Sequence, residues 1–482
     1  MVESIAIIAV ATSAAVAAGL TALPRPRLCF GILFLIASIS RATLQTPLGT
    51  MRPEMLAVLV VAAILLAGGR FKSLTRLPRP TLAMCLAFAA YLGALSFSSA
   101  FVAPDRSQSL HMVAWLAMSM LGGVVAFVLV QSRPKDAIQP LAFGGFVVGA
   151  VGVLLAALFL VAGPTFSLGI QEGFSAVPRV YGLAWEANLY ASFLAICTFF
   201  ALEAARSHRA AVGLVMLAAI LIGFPLGITR AAYFGLGVGA VAYAGSRVIL
   251  EKRPRDVLRP GAISAALLVV GIVASGLLLP NIIQRGYVPP GPGGSSSAGG
   301  SSSAGGPTTA AKPTPFPTFG PSADTLGYRL ERVSLAVDQV GHSPFIGFGA
   351  ASFGQENPGR YNGPGPDYIA VMSVAVLYES GIVGATALAI AFALLLASLW
   401  LSARRCAAQR DSTGVGAAAA FIAALICMLI AYQATNALPY AVSWMIVGAG
   451  SALAASNTST ATLRDLVTPS RSQEGQNTKL ET

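Results

Sequence analysis

The sequence predicts an all-α polytopic membrane protein, with about 12–13 transmembrane helices and one large outward loop between the tenth and eleventh. Three observations carry this. The chain is 55% hydrophobic and only 10% charged, with a mean hydropathy of +0.73, whereas a soluble domain is about 25% charged. Apolar runs of span length recur along it. Lys and Arg gather in alternate loops between those runs.

In order, the runs fall at about 4–21, 26–40, 55–69, 81–99, 111–131, 139–162, 187–205, 210–227, 231–248, 261–279, 368–402, 415–433 and 437–455. The first has only Glu3 as a charge before it and lacks the basic leader of a signal peptide, so it reads as a retained helix. If it were cleaved, the other twelve would keep their orientation. The second is short enough to be re-entrant. The eleventh is longer than a bilayer is thick, so its end lies above the membrane or it breaks at Gly381 or Gly384.

Basic residues set the orientation. Arg25/Arg27, Arg70/Lys72/Arg76/Arg79, Arg133/Lys135, Arg206/Arg209, Arg247/Lys252/Arg253/Arg255/Arg259 and Arg404/Arg405/Arg410 occupy loops of one phase. The positive-inside rule makes those loops cytoplasmic, with the N-terminus outside and the C-terminus inside. The net charge of +12 is mostly this signal. Anionic lipid headgroups account for it, and no nucleic-acid partner is implied. The chain divides into N-terminal helices (1–139), helices with short outward loops (140–279), the large loop (280–367), C-terminal helices (368–455) and a cytoplasmic tail (456–482).

Five scattered cysteines and three histidines show no metal-ligand spacing, so neither a metal site nor a disulfide framework is expected. The outward loops hold the chemistry. The loop before the seventh run carries Arg179, Tyr181, Trp185, Glu186 and Asn188 at or just above the interface. Its aromatics suit interfacial anchoring, and Arg179 and Asn188 suit a headgroup or sugar. Arg230 stands in a short turn at the start of an apolar helix, with no carboxylate within about twenty residues. A guanidinium at a helix N-terminus is a seat for phosphate, although arginine at a membrane edge also simply snorkels.

The large loop opens with a Pro/Gly/Ser-rich linker, 281–326, that cannot bury a core. Residues 323–341 then read as an amphipathic helix with Leu326, Leu330, Val333, Val337 and Val340 in one stripe. Arg329 and Arg332 share a flank of it, either as a solvated face or as a clamp over a polar headgroup. Then come His342, in a Pro/Gly-rich turn, and Asp367, at the mouth of the eleventh run. Glu379 lies deeper in that run, where a carboxylate is usually paired or functional.

Four patches in this order resemble the O-antigen ligase and O-antigen polymerase family of bacterial membrane proteins. They are RVYGLAWEANLYASFLA (179–195), TRAAYFGLGVG (229–239), GYRLERVSLAVDQVGHSPFIGFGAASF (327–353) and LYESGIVGATAL (377–388). Here Glu-Ala-Asn replaces the family's Pro-Asn, and Val333 stands where a Trp is common. The resemblance covers about 140–455. It implies a bacterial inner-membrane glycosyltransferase with its active face periplasmic. The enzyme would move a glycan from a polyprenyl-diphosphate carrier to an acceptor hydroxyl on a glycan or glycolipid, without cofactor or metal. The family's two diphosphate arginines fall on Arg230 and Arg329, with Arg332 and Arg179 supporting. The family histidine that activates the acceptor is absent, since Asp367-Tyr368-Ile369-Ala370 occupies its place. Either Asp367 takes the base role, or His342 reaches in, or the activity is altered. A transporter or flippase for a lipid-linked glycan is the rival expectation.

Overall fold

A computed structural model describes residues 13, 16–39, 44–46, 49–162, 168–171, 179–206, 210–251, 262, 265–273, 325–357 and 368–456. Helix dominates. The order is α1 (Pro26–Ser38), a hairpin of β1 (Leu44–Thr46) and β2 (Gly49–Met51), α2 (Pro53–Ala67), α3 (Arg79–Phe101), α4 (Arg106–Val130) and α5 (Ile138–Ala162). A hairpin of β3 (Ile170–Gln171) and β4 (Arg179–Val180) precedes α6 (Ala187–Ala205), α7 (Ala210–Gly223) and α8 (Arg230–Glu251). After these come α9 (Thr325–Val340), the short α10 (Phe353–Glu356), α11 (Met372–Ala408), α12 (Ser412–Ala431) and α13 (Ala441–Ser456).

The chain is an all-α protein of the polytopic membrane type. Among the described residues eight helices are long and apolar enough to cross a membrane, or nine if α2 and the 3-10 turn Arg70–Arg76, bent by 79°, form one span. The expected second and thirteenth runs form the shorter helices α1 and α13. The expected first and tenth runs lie largely outside the described residues, with continuous helix at 16–21 and 265–273.

α6 and α12 are buried around most of their circumference, as helices apolar on every face should be. α12 packs on α8 and α6, α11 on α3, and α13 on α4. Lipid is as apolar as leucine, so such contacts depend on close van der Waals approach rather than on hydrophobic expulsion. Gly123 shows this: a Cβ there would lie 2.7 Å from the Trp444 carbonyl oxygen of α13.

The expected break in the eleventh run occurs at Gly381, whose φ of 64° and ψ of −172° belong essentially to glycine. The break frees backbone groups that a lipid environment leaves unpaired. The turn 343–351 takes them up. Phe348 and Gly349 N–H donate to the Tyr378 and Glu379 carbonyls at 2.9 Å each. Ile382 N–H donates to the Pro344 carbonyl at 2.8 Å, and Val383 N–H to that of Phe345 at 3.3 Å. Ser98 of α3 caps the Glu379 carbonyl as well, at 2.7 Å. The third and fourth sequence motifs are thus the two halves of one backbone joint.

One expectation needs correction. Arg247, grouped with the inner-loop cations, lies within α8 and is 3% exposed. Its guanidinium faces Glu203 of α6 (3.6 Å) and Glu251 (3.2 Å), and Tyr243 donates to Glu203 at 2.8 Å. Burial was affordable because the partners arrive together, which sequence spacing does not show. The expected amphipathic helix is α9. The helix forms, but Leu330 and Val337 of its apolar stripe are 58% and 54% exposed, while Arg332 and Ala336 are buried. The packed face is chosen by a small residue: Ala336 fits against Phe353, Ile369, Ala375 and Tyr378. Gln339 on the same face accepts from the Tyr378 hydroxyl at 3.0 Å.

Candidate functional site

Arg179 closes the first patch onto the second. Its guanidinium donates from Nε and Nη2 to the Gly227 carbonyl (3.0 and 2.9 Å), and from Nη2 to Asn188 Oδ1 and Thr229 Oγ1 (both 2.8 Å). β4 presents Arg179 through the pairing of Gln171 with Arg179 and Ile170 with Val180. Asn188 stands in the first turn of α6, and Thr229 directly precedes α8. Between α7 and Thr229 the chain turns through a 3-10 piece, Phe224–Gly227, and then Ile228 in the left-handed region at φ 46°. A β-branched residue rarely adopts that conformation. The guanidinium bridging Gly227 and Thr229 spans this strained step from both sides.

Charges from distant segments meet here. Burial pushes the Arg179 pKa down; the Glu186 carboxylate opposes this and the positive charge of Arg329 adds to it. Glu186 also leads the influences that push the Tyr368 phenol up, while Arg329 and Arg332 pull it back. Arg179, Glu186, Arg329, Arg332 and Tyr368 therefore share one neighbourhood, drawn from β4, the start of α6, α9 and the approach to α11. Thr435, in the turn after α12, donates to Glu186 Oε1. That turn is tied to α11 by Ser373 Oγ donating to Gln433 Oε1 at 2.8 Å.

The other expected residues are placed as follows. Arg230 is exposed at the N-terminus of α8, next to Thr229. His342 is exposed in the turn ending α9, its Nδ1 3.2 Å from the Gln339 carbonyl, a local turn contact. Glu379 accepts from Ala351 N–H at 3.0 Å, where Ala351 sits at φ 54°, so its carboxylate secures the backbone joint. Asp367 lies outside the described residues.

Glu186, Tyr368, Thr229 and Thr435 join the neighbourhood without having been singled out for it. The signals for Glu186 are its place in the outward loop with Arg179 and Asn188 and the Glu-Ala-Asn that stands where the resembled motif has Pro-Asn. Thr435 has none, because nothing in the 249-residue separation from Glu186 foretells the contact. Among the described residues no group of three or more His, Cys, Asp or Glu is arranged to hold a metal ion. The arrangement offers guanidinium groups for a multiply charged anion and a carboxylate within the same neighbourhood. No protein-family model matches the chain, and no curated protein matches it. The family resemblance stands on the ordered motifs alone.

Proposed function

We propose that the protein is a glycosyltransferase that moves a glycan from a polyprenyl-diphosphate carrier to an acceptor hydroxyl on the outward face of a bacterial inner membrane. What supports this most is the electrostatic coupling of Arg179 and Arg329 with Glu186 and Tyr368, beside the turn that Arg179 holds through Asn188 and Thr229. Bond breaking at the anomeric carbon places charge on a departing diphosphate, which fixed guanidinium groups stabilise. Arg329, on α9, and Arg230, at the N-terminus of α8, are assigned to the diphosphate, with the buried Arg332 supporting from α9. Arg179 spends its donors on Gly227, Asn188 and Thr229 and is assigned to hold the loop between them.

The acceptor hydroxyl needs a base within hydrogen-bond reach. Glu186 is a described carboxylate coupled to Arg179 and Tyr368, and Asp367 is the candidate carried by sequence. The displacement is a single step: the hydroxyl oxygen bonds to the anomeric carbon, its proton passes to the carboxylate, and the diphosphate leaves with the bonding pair. The test is purified protein in lipid nanodiscs with a lipid-diphosphate glycan and an acceptor, following release of carrier diphosphate. No release above a protein-free control would overturn the reading.

One observation favours transport instead. The Glu203–Arg247–Glu251 group borders a cavity of about 1390 Å³ at the end of the bundle that also carries Lys135 and Asp411. Buried charge inside spans often marks an ion path. Uptake of a lipid-linked glycan into proteoliposomes, without carrier release, would establish that alternative.

A further inference from the structure

Arg52 directly precedes α2 and Glu54 lies in its first turn, in a part of the chain outside the four motifs. Arg52 is 5% exposed and Glu54 1%. The Arg52 guanidinium lies between two aromatic rings, 4.0 Å from the Tyr440 centroid and 5.0 Å from that of Trp115. Its Nη1 is 3.9 Å from Glu54 Oε1, beyond hydrogen-bond distance. Arg52 Nε and Nη1 and Glu54 Oε2 have no hydrogen-bond partner among the described residues, although the Tyr440 phenol does pair with Arg52. Buried donors and an acceptor left open this way are costly, and natural structures keep few of them.

The pair adjoins the proposed transfer site. The turn following α12 sets Thr435 against Glu186, and at its far end sets Tyr440 over Arg52. Trp115 and Tyr440 are only partly buried, and His111 lies beside Trp115 with ring centroids 5.7 Å apart. A phosphate or carboxylate would suit Arg52 but would be repelled by Glu54. A sugar ring suits both: its hydroxyls accept from the guanidinium and donate to the carboxylate, and its C–H face rests on an aromatic ring.

We propose that Arg52, Glu54, Trp115 and Tyr440 form a saccharide subsite. The proposal rests on the glycan-transfer reading for the origin of its sugar, which belongs either to the acceptor or to the glycan being transferred. The test is binding of nanodisc-embedded full-length protein to an immobilised glycan array, with wild type compared with Glu54→Gln and Trp115→Leu. Wild type is expected to be retained on a subset of glycans, with Glu54→Gln weakened on the order of tenfold, the loss expected from one buried charged hydrogen bond, and Trp115→Leu weakened by loss of the ring face under the sugar. Trp115→Leu changes a partly exposed side chain and serves if Glu54→Gln does not fold. Retention of no glycan by wild type, or equal retention by folded variants, overturns the proposal.

Carrier binding by wild type is titrated separately with undecaprenyl diphosphate. Glycan binding without carrier binding refutes the transfer reading and leaves the subsite standing; carrier binding without glycan binding does the reverse. In the transfer assay, a raised KM for the acceptor alone assigns the sugar to the acceptor, and a raised KM for the donor alone assigns it to the donor.

Discussion

Replacing Gly381 by alanine tests the backbone joint on which both late motifs depend. The residue sits at φ 64° and ψ −172°, where an L side chain is strained by about 1–3 kcal/mol. A Cβ there would press on the Phe345 carbonyl and lie 2.5 Å from Ile346 N. Those atoms are backbone and cannot swing aside, so the turn must move. Moving it breaks at least the bonds from Ile382 to Pro344 and from Val383 to Phe345, worth about 1–3 kcal/mol together. The sum is about 3 kcal/mol or more, or roughly a hundredfold in the local opening equilibrium. Hydrogen exchange followed by mass spectrometry in nanodiscs reads this directly. Peptides covering 344–351 and 378–383 should exchange on the order of a hundredfold faster in Gly381→Ala. Gly237→Ala is the control, because a Cβ there meets nothing within 4 Å. Unchanged exchange around Gly381 would refute the stitched-break description.

Arg179→Ala leaves the Gly227 and Asn188 acceptors open and should cost about 2–4 kcal/mol in unfolding measurements. Arg230→Ala, at an exposed position, should stay within about 0.5 kcal/mol of wild type in the same measurement, and equal losses would contradict the separation of a loop-holding from a ligand-facing arginine. Arg329→Ala should lower carrier release roughly 100- to 1000-fold with the fold retained, the loss typical of one preorganised charge-stabilising donor; full release would end its assignment. Glu186→Gln should reduce turnover while carrier affinity holds, and unchanged turnover would leave Asp367 as the base. At the opposite end of the bundle, burial tends to raise the Asp411 pKa, but Lys135 and the Gly414 N–H outweigh it and hold it below the usual 3.8. That group stabilises the fold above the unfolded-state pKa, and its contribution disappears as pH falls through the lower folded value. Asp411→Asn should therefore lack the part of the acid-induced stability loss that wild type shows below about pH 4.

Much of this was legible in the chain. Spans are decided by transfer free energy summed along consecutive residues, a local quantity, so composition and run length identified the membrane class and most helices. A break at Gly381 or Gly384 was one of the readings open, because the apolar run exceeded a bilayer and contained residues able to adopt a left-handed conformation; the structure places it at Gly381. The arginines stood out because charge is rare among so many apolar residues. Their roles did not. Arg179 and Arg230 look alike in sequence, yet one bridges a strained turn and the other is exposed. The chain displays the apolar stripe of α9 but not its packed face, which the close fit of Ala336 decides. Glu186 with Thr435, and Arg52 with Tyr440, became neighbours only when helices far apart in sequence packed together. Sequence determined which residues the membrane accepts and where polar groups must leave it. Tertiary structure alone decided which polar groups meet, because that depends on long-range packing that no local sum contains.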